Sequence, residues 1–167
     1  MGTRSKADAK FHLEVTSLSD EEIVHYRAAL EVEMRRRGLG FSVGQIGESL
    51  VIEHFKRTPG LPKLLRSPIG TKNVDALSRN GERYSIKTVW NAKKTSTIYP
   101  DPNNKETQLF EFLIIGQLSN DMALKNIYEF SWEQFAEVRS WDKRMNAWYI
   151  GCSTKTLEKG KRILAQS

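Results

Sequence analysis

Asp75 and Lys87 are the residues of this chain whose types and placement best suit chemistry. They flank a turn signal, Asn80-Gly81, within a stretch from Thr71 to Trp90 that reads as a β-hairpin. Val74, Ala76 and Leu77 belong to its first strand, and Tyr84, Ile86 and Val89 to its second. Asn-Gly supplies the positive φ angles of a tight type I′ turn, so the two strands lie side by side. An acid and a lysine at one end of a small sheet can bind a metal ion and activate a water. An aspartate within a strand is disfavoured by propensity, and such a residue usually serves an ion pair or a site.

The charge around this hairpin points the same way. The 167 residues include 26 Lys and Arg against 20 Asp and Glu, for a net charge of +6. Between Lys56 and Thr97 there are ten basic residues and only two acids, Asp75 and Glu82. Apolar strand residues interrupt the run, so its charges spread over several elements and favour a polyanionic partner over a merely solvated face.

The positioning elements follow from periodicity and capping. Ser19 and Glu22 form a capping box for a first helix with Ile23, Tyr26, Leu30 and Met34 at helical spacing. Arg35, Arg36 and Arg37 suit its C-terminal dipole, and Gly38 its C′ position. Ser42 and Gln45 start a second helix, with Ile46, Leu50, Val51 and Phe55 on one face, ended by Thr58-Pro59-Gly60. Leu61–Arg66 reads as an outer strand weakened by Pro62. Residues 91–105 read as a long loop, and 110–118 as a buried central strand. Another strand spans 124–130, and Ser131 caps a short helix to Arg139. A short strand covers 147–151, and Ser153 caps a final helix carrying Leu157, Ile163 and Leu164. This order predicts an α/β fold, a mixed central sheet flanked by helices. A single domain over 1–167 is expected, with an N-terminal arm over 1–17.

The sole cysteine, Cys152, excludes an intramolecular disulfide and a cysteine-based zinc site. His12, His25 and His54 have no spacing that suggests a metal centre. No apolar run approaches about 18 residues and the N-terminus shows no signal-peptide core, so the expected location is the cytoplasm, with no membrane partner.

Three pieces together resemble the PD-(D/E)xK nuclease superfamily, the restriction-endonuclease-like fold. They are Gly47-Glu48-Ser49-Leu50 on a helix, Asn73-Val74-Asp75-Ala76-Leu77 on a strand, and Ser85-Ile86-Lys87 on the next strand. The resemblance covers residues 42–130, the expected catalytic core, and is greatest to compact type II restriction enzymes. It implies a Mg²⁺- or Mn²⁺-dependent endonuclease acting on double-stranded DNA as a homodimer. By the same resemblance Asp75 is a metal-binding carboxylate, Lys87 orients the attacking water and holds the scissile phosphate, and Glu48 is the helix acid that completes the site. Val74 replaces the family's proline. Ser85 stands where the family has Asp or Glu, so a catalytic set of Glu48, Asp75, Ser85 and Lys87 lacks one acid. Glu48 is the preferred substitute and Asp101 the next, with Glu106 and Glu111 further on. Glu53, about 500° further around the helix, faces away from Glu48. A junction-resolving or repair nuclease, or a DNA-binding module that has lost catalysis at Ser85, are the alternatives.

Lys72, Asn73, Thr88, Asn91, Lys93, Lys94 and Thr97 flank the site and are candidate DNA contacts. Lys143 and Arg144, between Trp141 and Trp148, are further candidates; the competing reading of that segment is a connection with Trp148 in the core.

Overall fold

The computed structural model describes residues 14–68 and 70–165. The chain divides into two units, residues 1–41 and 42–167. The expected N-terminal arm lies largely outside the described residues.

The first unit is built on helix α1, Asp20–Arg36. Ser19 and Glu22 form the expected capping box, with the Ser19 backbone N–H 2.8 Å from Glu22 Oε2. Gly38, at φ +67°, closes the helix as Leu39 N–H reaches Met34 O at 2.8 Å, a Schellman arrangement. Arg36 and Arg37 both pair with Glu33 at 2.6 Å, so part of the arginine triplet secures the helix end. The apolar stripe does not bury itself: no residue of α1 is buried, and Ile23, Tyr26 and Leu30 are exposed.

The second unit is an α/β structure around a six-stranded mixed sheet of order β1-β2-β3-β4-β5-β8. Its strands are β1 Leu65–Arg66, β2 Ala76–Leu77, β3 Arg83–Val89, β4 Phe112–Leu118, β5 Leu124–Ser131 and β8 Lys161–Ala165. Only β3 and β4 run parallel. Helix α2, Val43–Arg57, opens the unit, and α3, Trp132–Val138, follows β5 directly. A separate ribbon pairs β6, Arg139–Asp142, with β7, Ala147–Ile150.

Strand alternation divides the core into two layers. Tyr84, Ile86, Ile114 and Ile127 pack with Val51, Ile52 and Phe55 of α2 on one face. Val89, Leu113, Ile115, Tyr128 and Phe130 pack with Phe135 of α3 and Ile150 of β7 on the other. Each large side chain buried this way contributes about 1.5–3 kcal/mol. The parallel β3–β4 connection, residues 90–111, crosses the second face without a helix. It is held to β7 instead: Ile98 and Trp148 exchange backbone hydrogen bonds of 2.8 Å, and Thr95 N–H reaches Ile150 O at 2.9 Å. The long loop of the sequence is thus an ordered crossover with Thr95 and Ile98 buried.

Three local expectations change. Asn80-Gly81 turns the hairpin, but as a three-residue loop: Ser78 pairs with Glu82, Gly81 N–H donates to Ser78 O at 3.1 Å, and only Gly81 of the loop has positive φ, +84°. That is a type I turn with glycine in the left-handed position. The Ser78 hydroxyl favours it by accepting from the backbone N–H groups of Asn80 and Glu82. Residues 139–150 form a two-stranded ribbon rather than a plain connection, with Trp141 and Trp148 facing one another at 4.5 Å between ring centroids, while Trp148 packs against the second core layer as one reading of the segment expects. Ser153 caps only one turn, α4 Thr154–Leu157, and Ile163 and Leu164 lie in edge strand β8 rather than in a helix. Gly160 allows this, since a Cβ there would meet the Phe130 ring at 2.8 Å and Glu129 O at 2.9 Å. The chain then satisfies the open edge of β5, which a longer helix would leave unpaired.

Helix α2 approaches the sheet unusually closely. A Cβ on Gly47 would lie 2.1–2.7 Å from the side chain of Thr88, and one on Gly116 would lie 2.9 Å from Val51. Thr88 also donates to Gly44 O at 3.3 Å. Because Thr88 is β-branched and cannot swing aside, Gly47→Ala should destabilise the protein by about 1–3 kcal/mol through overpacking. Urea denaturation would show it as a lower midpoint at unchanged slope.

Candidate active site

Asp75 lies at the point where the hairpin strands part. Beyond Ala76, strand β2 no longer follows β3, so the backbone N–H of Ile86 has no ladder partner there. The Asp75 side chain takes that place: its Oδ2 accepts from Ile86 N–H at 2.6 Å and from Ser85 Oγ at 3.3 Å. Its own backbone is fixed on both sides, with Asp75 N–H donating to Tyr84 O at 2.8 Å and Asp75 O accepting from Ser67 N–H at 3.0 Å. Oδ1 accepts no hydrogen bond among the described residues. The acid is therefore held in place with one oxygen unengaged among the described residues, the arrangement a ligating or water-orienting carboxylate needs.

Lys87 stands two residues beyond Ser85 on the same face of β3, opposite the face covered by α2. It is half-buried, and its ammonium has no ion-pair partner among the described residues. Ser85 is fully buried, so its hydroxyl serves Asp75 rather than reaching solvent.

Glu48 comes to this group from α2. Gly47 sets the helix against Thr88, and the next residue, Glu48, meets Arg66 of edge strand β1. Burial raises the Glu48 pKa above the usual carboxylate value; the charges of Arg66, Asp75 and Lys87 all act on it, Asp75 raising it and the two cations lowering it. The fold thus brings Glu48, Asp75 and Lys87 within one electrostatic neighbourhood. Arg66 was not apparent from the sequence: its guanidinium is 2.6 Å from Glu48 Oε1 and 2.8 Å from Ser49 Oγ. No local pattern marks it, because the partner lies in another element.

The other acids are engaged elsewhere. Asp101 Oδ1 accepts from the backbone N–H groups of Asn103 and Asn104. Glu106 pairs with Arg139, Glu111 with Arg83 at 2.7 Å, and Glu53 with Arg57 at 2.5 Å. Among the described residues no group of three or more His, Cys, Asp or Glu side chains gathers as a metal cluster. The carboxylate set at this place is the pair Asp75 and Glu48. Burial pushes the Cys152 thiol up to about 11, so it stays protonated at neutral pH.

The candidate DNA contacts divide. Lys72, Asn91, Lys93, Lys143 and Arg144 are exposed. Asn73, in the left-handed region at φ +59°, donates to Tyr99 O at 3.1 Å. Thr88 is turned to α2, Thr97 is half-buried, and Lys94 pairs with Asp142 at 3.3 Å while lying 4.6 Å over the Tyr149 ring. Asn91 and Lys93 share a polar hollow with Gln117, Lys125 and Asn126 at the ends of β3 and β4.

No protein-family model matches this chain, and no curated protein matches it at a significant level.

The raised Glu48 value has a consequence for stability. The folded state holds this proton to higher pH than the unfolded chain does, so its contribution is present at about pH 4.5 and below and is lost as pH rises through the folded-state value. Glu48→Gln should flatten that part of the decline. Urea denaturation of both proteins from about pH 4 to pH 8 measures the difference in slope.

Proposed function

We propose that this protein is a Mg²⁺-dependent DNA endonuclease with a PD-(D/E)xK-like site and a restriction-endonuclease-like core, acting as a restriction-type enzyme. The observation that carries this reading is Asp75, anchored to Ser85 and Ile86, sharing one electrostatic neighbourhood with Lys87 and with Glu48 of α2. The basic residues around the hairpin supply the field that a polyanion requires.

The donors fit a hard divalent cation. Asp75 Oδ1 and the Glu48 carboxylate are hard oxygens, and Mg²⁺ typically takes one or two carboxylates, keeps several waters and binds substrate phosphate. Bound there, the cation would offset charge on the phosphoryl oxygens and make water a stronger nucleophile. The Ile86 and Ser85 hydrogen bonds to Oδ2 hold the Asp75 carboxylate in place and leave Oδ1 for a ligand. Lys87, with its ammonium unpaired among the described residues, receives a phosphate oxygen and orients the attacking water. Glu48, paired with Arg66 in the free protein, would be the second carboxylate to hold the cation.

Cutting both strands of a duplex needs two such sites, so a homodimer belongs to this reading. The exposed Ile23, Val24, Tyr26, Leu30 and Val32 of α1 support it.

One observation favours a second reading. The buried Ser85 hydroxyl fills the position of an acid and donates to Asp75 instead of binding a cation. With two carboxylates in place of three, the site also suits a module that binds DNA without cutting it.

Incubating the protein with plasmid DNA and Mg²⁺ or Mn²⁺ separates the two. Cleavage to discrete bands is expected, with Asp75→Asn and Lys87→Ala each lowering the rate at least about a hundredfold. Retained binding with no cutting in either metal would leave the second reading, and undiminished cleavage by both variants would remove the site assignment.

A further inference from the structure

We propose that a cavity beside the Asp75 site holds one unstacked DNA base, with its neighbouring phosphates gripped by Lys72 and Lys105. The proposal rests on DNA being the ligand, as above, and adds that the strand is locally unpaired where it is bound.

The cavity has a volume of about 330 Å³ and is walled by Tyr99, Trp141 and two prolines, with Lys72, Asp101, Lys105 and Asn146 at its polar margin. That is at the small-ligand end of the usual range of about 300–1,000 Å³. Its position follows from the crossover. Ile98 is paired with Trp148 of the ribbon, and Asn73 donates to Tyr99 O, so Tyr99 is tied to both the ribbon and the segment leading into Asp75. Lys72 is three residues before Asp75, which keeps their Cα atoms within about 11 Å of one another. The crossover and ribbon cover the same face of the sheet that carries Ser85 and Lys87. One nucleic-acid strand can therefore pass from the pocket to the candidate active site.

The lining matches a base in each of its parts. Tyr99 is 42% exposed, an aromatic surface open to solvent, and Trp141 is braced edge-on by Trp148. Flat aromatic walls stack any base. Lys105 now lies 4.1 Å over the Trp141 ring. On an exposed chain such a contact is weak and readily exchanged, so an incoming base takes the ring face and the ammonium moves to the phosphate. Asp101, fixed by the Asn103 and Asn104 N–H groups, offers its second oxygen as an acceptor for a base amino group, and Asn146 offers both a donor and an acceptor. An anion alone does not account for a pocket with a carboxylate on its rim, and an apolar ligand does not account for two lysines.

The test measures binding of the full-length protein, with Ca²⁺ replacing Mg²⁺ to prevent cleavage, to two labelled duplexes. One is fully paired and the other is identical but for a single bulged 2-aminopurine. The bulged duplex should bind at least about tenfold more tightly and its 2-aminopurine emission should be quenched. Tyr99→Ala and Trp141→Ala should each weaken binding to the bulged duplex by about fivefold to a hundredfold while leaving the paired duplex unchanged. Should Trp141→Ala disturb the ribbon, Tyr99→Ala alone decides, because its side chain is exposed. Equal affinity for the two duplexes, or equal weakening of both by Tyr99→Ala, would overturn the pocket and leave the nuclease reading standing. Preferential binding of the bulged duplex without plasmid cleavage would support the pocket and remove the nuclease. No binding to either duplex would remove both.

Discussion

The close approach of α2 to the sheet is the contact on which the second unit depends. Gly47 sits against Thr88 and Val51 against Gly116, positions where a Cβ in place of either glycine hydrogen would clash. The contact brings Val51, Ile52 and Phe55 over the strands and closes one of the two core layers. It also moves Glu48 toward Asp75 and Lys87, where burial and neighbouring charge alter its ionisation. Packing and electrostatics are thus joined at consecutive residues: the glycine permits the approach and the next side chain experiences its result.

The second constraint is the shortness of β2. A longer strand would satisfy Ile86 N–H through the backbone and leave Asp75 in an ordinary cross-strand position. Because β2 is only Ala76–Leu77, the Asp75 carboxylate completes the ladder itself. This resolves the conflict between strand propensity and an aspartate at that place. It also explains Ser85 locally: a buried hydroxyl beside a carboxylate donates a hydrogen bond, whereas a second buried carboxylate would repel the first unless a cation lay between them.

Much of the architecture was legible from short-range chemistry. The capping boxes at Ser19, Ser42 and Ser131 mark helix starts at the residues where the structure has them. The apolar run near residues 110–118 is the central strand β4, flanked by β3 and β5. The departures from local preference share a cause. The spacing of Ile163 and Leu164 suits either a helix or a strand, and the open edge of β5 decides between them. The Asn-Gly dipeptide alone predicts a type I′ turn, but Ser78 and the pairing of Leu77 with Arg83 select the three-residue form. Periodicity specifies which side chains want burial, and not which partner will cover them.

For the candidate site, sequence by itself determined the chemical vocabulary: Asp75 and Lys87 on the two arms of one hairpin, Glu48 on a preceding helix, and a surplus of basic residues around them. These follow from residue types and local backbone preference, which act over a few positions. Tertiary structure alone decided the rest. It paired Arg66 with Glu48, turned Thr88 inward to the helix, bound Lys94 to Asp142, and set Tyr99 and Trp141 around a common cavity. Each of these joins elements distant in the chain, and such distances are set by how the layers pack.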